Sequence, residues 1–221
     1  MRTPSVKYST EKLRGLSTYT CAKLSAKAET KDLAVLLEAS EMELALADEG
    51  WRGAERNALV QQALRDQADE EADHGIRIIL NTTRSLDGTS GGKGGPRQQR
   101  LFPKGLLGVT AVPIAAQPAA MTLFAGLLAE EEDASLTAFA ATVTAAGQKL
   151  EAGVEAFAAA NQAVTIASSQ VKRARAAWIR LYEKVYGELV SRIGKRAAEP
   201  YFKAPKKLPT PKDPVLPTPT L

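Results

Sequence analysis

None of the chain's twelve prolines falls between Pro4 and Pro96 or between Pro118 and Pro200. A proline inside a helix removes a backbone donor and clashes with the preceding turn, at a cost of about 3 kcal/mol. Two long proline-free stretches, both rich in Ala, Leu, Glu, Lys and Gln, therefore predict a mostly helical chain. The expected fold class is all-α, an elongated antiparallel bundle of about four long helices with coiled-coil-like seams. Residues 1–9 read as a flexible N-terminus and 10–87 as a helical hairpin or one long helix. A Gly- and Pro-containing connection over 88–117 leads to a second hairpin or long helix over 118–198, and 199–221 reads as a disordered proline-rich tail.

Much of the 44% hydrophobic content is alanine, which suits slim helix–helix contacts rather than a thick core. The net charge of +4 hides segregation: residues 1–31 carry seven basic and two acidic groups, whereas 32–74 carry three basic and twelve acidic. The last stretch, 171–221, carries twelve basic and four acidic. Blocks of opposite sign can pair within a bundle or between subunits, so the basic balance is a weak argument for nucleic acid. Cys21 is the single cysteine and has no internal disulfide partner. Residues 1–8 contain no apolar run, so no cleavable secretion signal is expected and the expected location is the cytoplasm, at the membrane periphery in the alternative.

Ser9 or Thr10 is placed to cap a first helix, along which Leu13, Leu16, Thr20 and Leu24 recur at helical spacing. From Leu33 the pattern tightens: Leu33, Leu37, Ser40, Leu44, Ala47, Trp51, Ala54 and Ala58 form a heptad-like seam. Gly50 and Gly53 bracket Trp51 and mark one expected turn, at 48–53. In the second region the seam runs Leu136, Phe139, Val143, Ala146, Leu150, Gly153 and Phe157, slips near Asn161, and resumes at Val164, Ala167, Val171, Ala174, Trp178, Leu181 and Val185. The slip places the other expected turn at 147–162, and the alternative is two unbroken helices. Trp51 and Trp178 are the expected seam anchors, since large aromatics dominate such packing.

Gly105–Ala129 contains no charged residue and is flanked by Arg97, Arg100 and Lys104 before and by Glu130, Glu131, Glu132 and Asp133 after. Uncharged length and basic-before-acidic flanks are those of a membrane-associating or inserting element. Pro113, Gln117 and Pro118 at its centre argue instead for an extended connection over Leu106–Ile114 followed by a buried Ala-rich helix.

Catalytic chemistry finds little footing. Glu71-Ala-Asp-His74 has the E-x-x-H spacing of di-iron bundles, but such a site needs a second copy and His74 is the only histidine. A Cys21–His74 nucleophile pair lacks any oxyanion site. The loop from Asp87 to Gly94 lacks the glycine and the Ser or Thr of a phosphate loop. No metal, cofactor or small-molecule substrate is expected, and the chain reads as no enzyme.

The helix Lys172–Arg196 is the most suggestive. At about 100° per residue, Arg173, Arg180, Lys184 and Lys195 share one face, and Trp178, Tyr182, Val185, Tyr186, Leu189 and Ile193 another. The basic face, with Lys203, Lys206, Lys207 and Lys212, suits phosphates or an anionic membrane. Read structurally, it faces the acidic helix of residues 32–74. The register Pro211-x-x-Pro214-x-x-Pro217 suits a tether or a polyproline ligand.

Arg100-Leu-Phe-Pro103-Lys-Gly-Leu106 and the ending Trp178-x3-Tyr182 with Tyr201-Phe202 resemble patterns in a group of uncharacterised helical bacterial proteins. The resemblance implies a long-helix bundle with a loop at Phe102-Pro103 and no catalysis, and it transfers no site residue. The expected function is a non-enzymatic structural or interaction protein that scaffolds or self-associates through Trp51, Trp178, Tyr182, Tyr186, Arg173, Arg180, Lys184 and Lys195. Membrane association through 105–129 is the alternative, and non-specific nucleic-acid binding through the basic C-terminal region is a second.

Overall fold

The computed structural model describes residues 4, 5, 7–88 and 94–203. The proline-rich register from Pro205 onward, Lys206, Lys207, Lys212 and the glycine-rich centre of the 88–96 linker lie outside them. Among the described residues every regular element is helical, so the fold is all-α. The helices are α1 (Thr10–Ser25), α2 (Lys31–Leu86), α3 (Pro96–Leu101), α4 (Leu107–Thr110), α5 (Gln117–Ala129), α6 (Ala134–Thr137), α7 (Phe139–Ile193) and α8 (Lys195–Ala198). They form two compact units, Met1–Glu49 with Ser169–Leu221, and Gly50–Ser168.

Neither expected internal turn occurs. Helix α2 runs unbroken through Gly50 and Gly53, and α7 runs unbroken through 147–162. A glycine costs a helix only about 1 kcal/mol relative to alanine, which packing of a long apolar stripe offsets. Gly153 also has a positive role: a Cβ there would lie 3.2 Å from the Arg65 Cα, so glycine lets α7 approach α2 closely.

In the first unit, the Ser9 side chain caps α1 by accepting from the Lys12 N–H at 3.3 Å. The helix stops at Ser25 without glycine or proline. The buried Thr30 hydroxyl donates to the Leu24 carbonyl at 2.6 Å, and a 3-10 turn over Ala28–Thr30 reverses the chain into α2. Helix α1 then packs antiparallel to α2, with Arg14 paired to Glu41 at 3.2 Å and the Cys21 thiol donating to the Ala34 carbonyl. The C-terminal stretch of α7 also runs against α2, through Arg192–Asp32 at 2.8 Å and Arg175–Asp48 at 4.0 Å. Leu13, Leu16, Leu24, Leu33, Leu37, Leu44, Trp178, Tyr182, Val185 and Leu189 fill the core between the three helices.

Two local outcomes follow from this packing. Burial pushes the Cys21 thiol up to about 11, assisted by Glu38 and Glu41 and opposed by a hydrogen bond from Ser17. The thiolate is the reactive form, so Cys21 should resist an aromatic disulfide reagent in native protein and react fully once denaturant is added; rapid labelling without denaturant would contradict its burial. The Asp32 carboxyl, held by Arg192, is shifted below its ordinary range. Its contribution is present above the ordinary carboxyl range and lost on acidification, and it is small because the pair is exposed.

The chain end departs from the expected tail. Gly194, at φ +82°, ends α7 in a conformation that suits glycine, and α8 and a 3-10 turn over Glu199–Tyr201 fold back. Ala198, Tyr201 and Phe202 are buried in the first unit's core, and the Tyr19 hydroxyl donates to the Pro200 carbonyl at 3.3 Å. Tyr201 and Phe202 are therefore core rather than tail.

In the second unit, α2 and α7 again run in opposite senses: Arg65 lies 4.4 Å from the Phe157 ring centroid, and Lys149 pairs with Glu71. Ala58, Ala68, Ala72, Ala160 and Ala167 are buried there, consistent with slim helix contacts. Helix α5, with Pro118 in its first turn, packs Met121, Phe124, Ala125 and Leu128 against Ile76, Ile79, Leu136, Val143 and Leu150. The uncharged stretch thus buries only Val109, Gln117, Met121, Phe124, Ala125 and Leu128 and leaves its other residues half-buried or exposed, and 107–110 is a helical turn rather than extended chain. Helix α3 places Phe102 against Phe124 at 5.0 Å, and Arg100 holds the buried Glu131 through both carboxylate oxygens. No helix among the described residues is long and apolar enough to cross a membrane.

Asp73 sits beside Asp69 on α2, accepts from the Gln117 amide at 3.2 Å and has Arg77 nearby. Burial, then the Asp69 charge, pushes its carboxyl above the ordinary range, against Arg77 and Gln117. A raised carboxyl costs stability once it ionises, and nothing while it is protonated. Asp73→Asn should therefore raise the melting temperature near neutral pH and lose that gain in strong acid; an equal gain at both would contradict the assignment.

Candidate interaction surface

The two faces of the α7 C-terminal stretch have separate roles. Trp178 is 0% exposed, stacks on Tyr182 at 4.7 Å, and donates its indole N–H to Ser17 Oγ at 3.4 Å. The Tyr182 and Thr20 hydroxyls share a hydrogen bond of 3.1 Å. Tyr182 and the half-buried Tyr186 each meet Phe202 edge-on at 5.1 Å. These three candidate aromatics are core or core edge. Trp51 is half-buried and belongs to neither hydrophobic cluster, so it does not anchor the core as Trp178 does.

The basic face makes no ion pair with the acidic helix among the described residues, although Lys184 lines a groove beside Leu33 and Leu36. Arg173, Arg180 and Lys184 are exposed and make no ion pair among the described residues. The cations of this C-terminal stretch of α7 that do pair with α2 are Arg175 and Arg192. Arg175 donates to Thr10 Oγ1 at 3.0 Å beside Asp48, and Arg192 donates to both Asp32 oxygens at 2.8 Å and to the Glu29 carbonyl at 2.9 Å. The expected facing is corrected for a geometric reason: Arg175 and Arg192 lie on the core-side arc of α7, and the stripe lies beyond it. Lys195 is not on the stripe, because Gly194 ends α7 and Lys195 opens α8.

A feature missed in the sequence lies on α2. Val35, Ala39, Met42 and Leu46 alternate by four and three, as the buried seam does, yet all are exposed, Met42 by 66% and Leu46 by 63%. The spacing carried this signal, but it was masked by the stronger seam beside it. Glu38, Glu43 and Glu49 flank this stripe, exposed and without an ion pair among the described residues. Between α2 and α7 lies a groove of about 240 Å³ lined by Leu33, Leu36, Leu181, Lys184, Val185 and Glu188.

The second unit carries a further apolar surface. Leu107 and Leu123 are 70% and 74% exposed, and Leu123 with Leu127, Phe124 and Lys104 lines a groove of about 250 Å³ beside Phe102-Pro103. The described residues hold no group of three His, Cys, Asp or Glu placed for a metal. His74 is exposed, and Glu71 of the E-x-x-H pattern is held by Lys149 and Gln67. Set against protein-family models, curated proteins and solved structures, the chain matches none.

Proposed function

We propose that this chain is a non-enzymatic helical interaction protein, a scaffold or self-assembling bundle that extends coiled-coil-like packing beyond its own helices. The supporting observation is the exposed Val35–Ala39–Met42–Leu46 stripe on α2. Isolated exposed leucines are ordinary on any protein, but four apolar positions alternating by four and three make a knob-bearing edge for another helix. Sedimentation velocity of the full chain over about a hundredfold concentration range tests this reading. A mass rising above that of one chain is expected. A single-chain mass throughout would overturn self-assembly.

The exposed Leu107 and Leu123 beside Lys104 favour a second reading, peripheral attachment to a membrane. Flotation with anionic vesicles that is abolished by Leu123→Ser would support it, and an unbound protein would end it.

A further inference from the structure

We propose that the first unit's open face, α2 stripe and α7 cations together, is a self-complementary docking surface for a second copy of this chain. The inference rests on the self-assembly reading above and assigns its surface.

Both stripes lie on the same side of the unit. On α2, Ala34 and Glu41 turn toward α1, and the Val35–Leu46 stripe turns away from it. On α7, Arg175 and Tyr182 turn toward α1, and Arg173, Arg180 and Lys184 lie on the opposite side. A groove lined by Leu36, Leu181 and Lys184, with the Asp32–Arg192 pair, lies between α2 and α7. One half of the face is apolar with acidic flanks. The other is cationic, and along it stand the small residues Ala177, Gly187 and Ser191.

A face with one negative and one positive half complements itself under a two-fold axis. The ion pairs Asp32–Arg192 and Asp48–Arg175 set the relative heights of the helices. Interpolated between them, Glu38, Glu43 and Glu49 stand close to the levels of Lys184, Arg180 and Arg173. A two-fold axis along the helices keeps every residue at its own level and lays α2 of one copy on α7 of the other. Glu43 of each copy then meets Arg180 of its mate. Leu46 stands at the level of Ala177 and Val35 close to that of Gly187, so acidic and apolar complementarity share one register.

The test is a charge swap in the full chain, read by sedimentation. Glu43→Lys and Arg180→Glu, each alone, should weaken dimerisation by about tenfold or more, since each puts like charges together twice per dimer. An equimolar mixture of the two variants should restore it, because the swapped charges pair across copies. Circular dichroism should be unchanged, as both residues are exposed. Wild-type dimers indifferent to either reversal would overturn this surface and leave the self-assembly reading standing. Weakening without rescue by mixing would overturn the Glu43–Arg180 register. A wild-type monomer at every concentration would overturn both, and a short DNA duplex held by the same cations in that monomer would assign the stripe to phosphate.

Discussion

Replacing Trp178 with alanine should lower unfolding stability by about 3–5 kcal/mol, the range for truncating a fully buried large aromatic. Trp178 is 0% exposed and touches three parts of the first unit. Its ring stacks on Tyr182, its N–H reaches Ser17 of α1, and it shares a cluster with Leu37 and Leu44 of α2. Alanine removes the ring, leaves a cavity that three helices cannot jointly close, and frees a buried hydroxyl. Denaturant unfolding should show a lower midpoint with little change in slope. An unchanged midpoint would remove Trp178 from the core.

Phe202→Ala should cost about 2–4 kcal/mol, below the range for a central aromatic because the residue follows a three-residue 3-10 turn rather than sitting within a long helix. The ring meets Tyr182 and Tyr186 edge-on, at 83° and 87° between planes, an arrangement that adds to plain area burial. Its loss should also raise the exchange rate of backbone amides in α8. A loss under about 0.5 kcal/mol, the size of an ordinary surface substitution, would show that the final turn does not belong to the core.

Local patterning was legible where local rules decide. Ser9 caps α1 because a short oxygen-bearing side chain before Leu13 and Leu16 is what a helix start requires. The division of α7 into an aromatic and a cationic face followed from its spacing alone, and Trp178, Tyr182, Val185 and Leu189 are buried accordingly. What periodicity does not carry is the identity of the neighbour. It grouped Arg173, Arg180 and Lys184 on one face, but only the placement of α1 and α2 turns that face to solvent and gives Asp32 and Asp48 to Arg192 and Arg175.

The other departures have equally local causes. The reversal after Ser25 has no glycine or proline to announce it, since a buried threonine hydroxyl makes the turn. Gly50 and Gly53 suggested a bend that α2 does not make, because two modest glycine penalties are outweighed by a continuous apolar stripe. Tyr201 and Phe202 stand between Pro200 and the prolines that follow, where composition reads as tail; the resemblance singles the pair out, but nothing in the sequence says that Phe202 meets Tyr182. The α2 open stripe obeys the same four-three alternation as the seam, yet the pattern cannot say which of two apolar stripes on one helix is covered from within.

The most direct measurement is the molar mass of the full chain by light scattering, beside Leu46→Asp. Leu46 is 63% exposed and belongs to no core cluster, so the substitution leaves helix content intact. Self-assembly through the open face predicts a wild-type mass of two chains and a variant mass of one. Equal masses for the two proteins, whether one chain or two, would contradict it.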